Sequence, residues 1–273
     1  MPEAKNRNVT SQEELSAADI AGFSQMRGRP TPAIGDYALI GDGHTVALIS
    51  QQGSIDWLCF PHFSAPSIFG ALLDQKDGGR FAICPRIPFR AKRQYLDSTN
   101  VLQTTFTTSG GVIRVTDMMT IAPADGALRP MREVLRIIDG VEGVVDVSIE
   151  IDPRPDYGRI LLRPEFRENL GWAWCWGNEL LWLTSDLIGL SASANSRSMK
   201  GVHRVRAGDK RFLSLGYVKG DVAVIAPLGA AATSRCQATS QWWSNWANQC
   251  RYGSSTGICA SFSPTIRREA SGL

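Results

Sequence analysis

The chain has 273 residues, 43% hydrophobic and 20% charged, a composition that can bury one large core or two smaller ones. Its 29 basic and 26 acidic residues leave a net charge of +3, spread without long runs. No basic cluster interleaved with aromatics occurs, which argues against nucleic-acid binding, and no apolar run approaches the ~20 residues of a membrane helix. The polar N-terminus, MPEAKNRNVTSQEEL, has no signal-peptide core, so a cytoplasmic location is expected. The six cysteines, Cys59, Cys84, Cys175, Cys236, Cys250 and Cys259, form no C-x-x-C pair, and no histidine stands at metal-ligand spacing from any of them. Reduced thiols, no metal and no cofactor are the expectation.

Ser11-x-x-Glu14 reads as a capping box opening a short helix to about Met26, followed by a Pro/Gly linker, MRGRPTPA. Residues 1–32 are thus a loosely attached extension. From Ile34 the pattern is one of short strands. TVALIS and SIDWLCF flank Gln51-Gln52-Gly53, a hairpin that places Gly53 in its turn at positive φ. In the second strand Ile55, Trp57 and Cys59 are expected on the buried face, with Ser54 and Asp56 opposite. A second hairpin joins VLQTTFTT to VIRVTDMMT through Ser109-Gly110-Gly111. A third is expected from EVLRII to VVDVSIEI through Asp139-Gly140, where Val145, Val147, Ile149 and Ile151 alternate with Asp146, Ser148, Glu150 and Asp152, one face buried and one wet. WAWCW pairs with GNELLWLTSD, and VHRVR with RFLSLGYV about Gly208-Asp209.

This succession predicts a mainly β protein, a large antiparallel two-sheet sandwich over residues 33–232. Through the small residues GAAATS the chain then enters a linker helix and tail, 233–273. On that helix Trp242, Trp243, Trp246 and Cys250 share a broad face, a stripe suited to docking something large.

Few motifs point to chemistry. Gly41-Asp42-Gly43 lacks the third glycine of a nucleotide loop and is better read as a hairpin turn. His44, His62 and His203 are isolated. Asp56, Asp117, Glu133 and Asp156 are candidate carboxylates for glycoside chemistry, although strand-end carboxylates more often anchor turns and ion pairs. Trp172, Trp174 and Trp176 fall on one strand face, as either a sugar-stacking platform or a piece of sheet core.

The stretch IGDYALIGDGHTVALISQQGSIDWLCFPHFSAPSIFGALLD, continuing into GGRFAICP and followed in order by VTDMMT, REVLRIIDGVEG, RPDYGR and WWSNWANQCRY, resembles the start of bacterial trehalase-like and glucoamylase-like enzymes of glycoside hydrolase family 15. The resemblance spans roughly Ile34 to Tyr252. It implies that the sandwich is the family's N-terminal domain and that the tryptophan helix leads to an (α/α)₆ barrel. In the family both catalytic glutamates of the inverting mechanism lie in that barrel. Nothing after Tyr252 matches it, so no catalytic residue transfers to this sequence, and an isolated domain inactive by itself is expected. The partners implied are trehalose or an α-glucan and a separately encoded barrel.

Overall fold

The computed structural model describes residues 32–122, 130–168, 170–192, 196–220 and 225–249. The expected helix at residues 11–26, and Cys250 and Cys259, lie outside the described residues. Among the described residues fourteen strands form one antiparallel network, and one α-helix, α1 (Ala230–Gln249), follows them.

The network folds into two layers. The first contains β1 (Ala38–Gly41), β2 (Val46–Ile49), β3 (Ser54–Cys59), β4 (Ser67–Phe69), β5 (Arg80–Pro85) and β13 (Met199–Arg206). The second contains β6 (Phe89–Tyr95), β7 (Leu102–Thr108), β8 (Gly111–Ile121), β10 (Glu165–Arg167), β11 (Gly171–Trp176), β12 (Glu179–Ser185) and β14 (Lys210–Lys219). The two layers share β9 (Pro130–Asp152), whose first half pairs with β8 and β14 and whose second half pairs with β5 and β13. Between them lies one core that joins Ile40, Ile49 and Phe81 of the first layer to Phe106, Val115 and Leu215 of the second.

The hairpin expected at Asp139-Gly140 is therefore not there: both halves belong to one 23-residue strand. Gly140 is needed for close approach rather than for a turn. A β-carbon on it would sit 1.9 Å from the Arg206 carbonyl, because the β13–β14 connection crosses here, with Gly140 and Asp209 joined backbone to backbone. That connection does turn at Gly208-Asp209, but it is not a ladder hairpin. β13 pairs with the second half of β9 and β14 with the first, so the turn carries the chain from one layer to the other.

The hairpins β2–β3, β7–β8 and β11–β12 form as the sequence indicates, and Gly53 turns at φ +78°. The expected alternation in β3 fails by one residue. Ile49 pairs with Ile55 and Leu48 with Trp57, leaving Asp56 as the extra residue of a β-bulge. Ile55 and Leu58 both enter the core, Trp57 is half-buried, and Asp56 is buried as well. The β9 face expected to be wet is likewise enclosed. Val145, Val147, Ile149 and Ile151 line the core, and Ser148, Glu150 and Asp152 on the other face are also buried. Cations accompany these carboxylates: Lys200 Nζ, across the ladder on β13, is 3.6 Å from Glu150, and Arg154 Nε, two residues beyond the end of β9, is 2.7 Å from Asp152. The free edge of β1 is blunted by Tyr95, whose hydroxyl accepts from Leu39 N and donates to Leu39 O.

Candidate functional site: the helix mount and the aromatic end

GAAATS is not a connector. Its alanines form the first turn of α1, which begins at Ala230 and runs without a break to Gln249. Small side chains there let the helix lie close on the second layer. Ala232 and Cys236 pack with Val101, Met118, Leu135, Ile137 and Phe212 in a small core separate from the main one, and Thr239, three residues further along the same stripe, is also buried. The Thr239 hydroxyl accepts from Ile121 N, closing the last residue of β8 against the helix.

The strongest tie is Glu133 of β9. Arg235 donates to it through Nε at 3.1 Å and Nη2 at 3.0 Å, while Thr120 and Ser214 hydroxyls donate to the same carboxylate. Charge-assisted, two-pronged pairing of this kind fixes orientation as well as distance. Arg235 is the only charged residue in the twenty of α1. That isolation is the sequence signal for the pair.

The stripe begun by Ala232, Cys236 and Thr239 continues at the same spacing into Trp243 and Trp246. The indoles pack edge to face, Trp242 on Trp243 at 5.0 Å and Trp243 on Trp246 at 5.8 Å. Trp242 and Trp243 are half-buried, and Trp246 is 51% exposed. The Trp243 Nε1 is buried without a hydrogen-bond partner among the described residues. Since Thr239 already meets the last residue of β8, this aromatic turn lies past the end of that strand.

The same end of the sandwich carries a second aromatic group. Phe60, just after β3, stacks on Tyr217 of β14 at 5.4 Å, and Trp176 lies 6.2 Å from Tyr217. The Tyr217 hydroxyl donates to Glu179, which Lys219 also contacts at 3.0 Å. Burial, with Glu179 adding to it, drives the Tyr217 phenol well above its ordinary range. The β1–β2 turn lies here too. Its Asp42 accepts from the His44 and Thr45 amides, as expected of a hairpin turn, and burial raises its carboxyl.

The three-ring platform of Trp172, Trp174 and Trp176 does not form. The rings do share one face of β11, but that face is the inner one. Trp174 is 0% exposed and has no ring face for a sugar, while Trp172 and Trp176 pack against the main core. The sheet-core alternative is what the geometry displays for Trp174.

The carboxylate candidates are dispersed and occupied. Asp117 pairs with fully buried Arg136, Glu133 holds α1, and Asp156 lies in a surface turn 3.7 Å from Arg159. Asp56 accepts from the Tyr37 and Ser54 hydroxyls; burial lifts its carboxyl above the usual range, and these bonds with Arg80 and Arg136 oppose the lift. His62 bonds Ser64, and His203 accepts from Arg211. Among the described residues no cluster of three His, Cys, Asp or Glu is placed to hold a metal. Nor is any helix long and apolar enough to cross a membrane.

An antiparallel sandwich with one helix mounted on its outer layer, and carboxylates committed to structure, defines a β-domain whose clearest unspent feature is a contact face. The profile of the family described as "Trehalase-like, N-terminal" matches residues 24–181, and the chain belongs to that family. It is 30% identical over 262 residues to a trehalase of Mycobacterium tuberculosis, covering 88% of this chain and 37% of that protein. A trehalase of Mycolicibacterium smegmatis is also 30% identical, over 80% of this chain and 35% of its own length. Trehalase 1 of Sulfolobus acidocaldarius is 40% identical over 129 residues, 47% of this chain and 20% of its own. The chain thus spans about a third or less of these relatives. Among solved structures, a putative kojibiose phosphorylase from human microbiome matches 81% of this chain and 30% of its own, at 10% identity and TM-score 0.36, too distant a superposition to build on.

Proposed function

We propose that this sandwich is the non-catalytic N-terminal half of a family-15, trehalase-type glycoside hydrolase, and that it serves by holding a helical catalytic barrel against the aromatic end of α1. The observation that carries the reading is the continuous stripe on α1. Its first half is spent on the sandwich, while Trp243 and Trp246 extend the same face past the end of β8. A half-exposed tryptophan in line with a buried stripe is the anatomy of an interface anchor. The trehalase relatives, each longer than the matched region, supply the class of partner and make trehalose the first substrate to try. Whether the barrel shares the polypeptide or is encoded separately does not change the contact. The carboxylates Asp56, Asp117 and Glu133 have structural partners, which supports hydrolysis residing in the barrel. The four described cysteines are thiols, two of them buried, as suits the cytoplasm.

The test is to assay glucose release from trehalose by the 273-residue chain alone and mixed with the part of the M. smegmatis trehalase beyond the matched region. The chain alone is expected to release none. The added portion is expected to bind, and Trp243→Ala or Trp246→Ala to weaken binding at least about tenfold. Hydrolysis by the chain alone, abolished by substituting one of its own Asp or Glu residues, would reject the proposal.

A further inference from the structure

The outer face of the first layer is closed, where the free face of an antiparallel sheet is ordinarily wet. Ala82 and Cys84 of β5 and Ser148 and Glu150 of β9 point away from the main core, because Phe81, Ile83, Val147 and Ile149 alternate with them and enter it. Yet Cys84 is 3%, Ser148 2% and Glu150 0% exposed. The elements packed against β5 and the second half of β9 are their ladder neighbours and, across the core, β7. Helix α1 lies on the other layer. At one corner of the face the β4–β5 loop meets Arg80 through Gln75 O, and Arg154 meets Asp152. The Cys84–Ser148 pair is four residues further along that ladder, about 14 Å from the corner. A charged side chain on the outer side of a sheet ordinarily stands in water, so something lies on Glu150.

We propose that the cover is the chain's own N-terminal extension, residues 1–31, docked across β3, β5, β9 and β13. The described chain starts beside this face. Tyr37, five residues after Pro32, lies on it and donates its hydroxyl to Asp56 at 2.9 Å. The family match begins at residue 24, inside the extension. The helix expected over residues 11–26 is about 24 Å long, enough for the four strands, which span about 15 Å. Leu15, Ile20, Phe23 and Met26 fall on one side of that helix, with Ser16 and Asp19 among them. The seat is mixed in the same way. Small Ala82, Cys84 and Ser148 leave a shallow bed, and Lys200, 3.6 Å from Glu150, stands at its border. Residues 250–273 follow α1 past the tryptophans on the second layer, which makes them the poorer candidate. The extension is then a third layer of the domain, and the inference does not depend on what docks on the tryptophans.

The experiment uses the full chain and its own thiols. Iodoacetamide labelling, resolved by peptide mass spectrometry, reads Cys84 against exposed Cys175 and buried Cys59. Cys84 is expected to label at least about tenfold more slowly than Cys175. The double variant Ile20→Asp, Phe23→Asp changes no described residue. It is expected to speed Cys84 about tenfold and to leave Cys59 unchanged. Should Cys59 speed up equally, a photo-cross-link decides: benzoylphenylalanine in place of Phe23 is expected to join residues 80–86, 146–152 or 199–204 of the same chain. Rapid labelling of Cys84 in the unaltered chain overturns the proposal, because the face is then open. So does a Cys84 that stays shielded in the double variant, or a cross-link to any other region or to a second copy, because another occupant then covers the face.

Discussion

Arg136 of β9 binds Asp117 of β8 within the second layer, Nε to Oδ1 at 2.8 Å, and sends its other two nitrogens into the first. Nη1 donates to Phe81 O at 2.7 Å and Nη2 to Gly53 O at 2.8 Å, with the guanidinium 4.7 Å above the Phe81 ring. Both ionic side chains are 0% exposed. Removing one partner of such a pair strands the other charge away from water. Arg136→Met is therefore expected to cost about 3–5 kcal/mol in urea unfolding. A cost below about 1 kcal/mol would mean that the two carbonyls and Asp117 find other partners.

Arg235→Ala tests the helix mount. Glu133 keeps the Thr120 and Ser214 hydroxyls in that variant, so the cost should be smaller, about 1–3 kcal/mol. The diagnostic readout is amide exchange. Protection in α1 should drop while that of β5 and β9 stays, since the main core does not include the helix. Uniform loss across the strands would show that the helix is integral to the sandwich.

Two glycines separate crowding from backbone strain. Gly140→Ala puts a methyl into the Arg206 carbonyl, and should cost about 2–3 kcal/mol or more by thermal melting. Gly177, in the β11–β12 turn at φ +54°, has nothing within 4 Å of a built β-carbon. Gly177→Ala should cost only about 1 kcal/mol, the strain of a left-handed residue. Equal costs would contradict the layer crossing at Gly140.

His203 gives a pH dependence whose sign is fixed by its surroundings. Burial, and then the Arg211 charge, lower its pKa below the ordinary imidazole value. With the folded pKa depressed, the unfolded chain takes up the proton first. The contribution is present above the unfolded value near 6.5 and is lost as pH falls through the folded one. Melting temperature should decline below about pH 6.5, and His203→Gln should flatten that decline while leaving Arg211 a side-chain acceptor. An unchanged acid slope in the variant would assign the effect to other groups.

The sequence disclosed the elements better than their connections. Strands β2, β3, β7, β8, β11 and β12 were legible because alternation and glycine turns are local signals. β9 was not, because Asp139-Gly140 looks the same in a hairpin turn as in a strand crossed at close range by another segment. What distinguishes them is the Arg206 carbonyl, more than 60 residues away in the chain. Asp56 was misplaced for a related reason, since a bulge inserts a residue without marking it in the alternation. On α1 the tryptophan stripe was visible, but its continuity with Ala232 and Thr239 was not, since alanine and threonine carry little hydrophobic signal. Trp174 has the residue type of a sugar platform, and only its orientation, inward, decides against it.

Because β9 runs through both layers, with its first half laddered into one and its second half into the other, the two sheets are joined by continuous backbone as well as by the core between them. A sandwich made of two separate sheets could lose one face and keep the other as a partly folded species. Here the shared strand couples them into one cooperative unit. Calorimetric and van't Hoff enthalpies of the strand network should coincide. Under load, tension entering at one end of β9 would pass directly from one sheet to the other, making that strand the molecule's tie-rod.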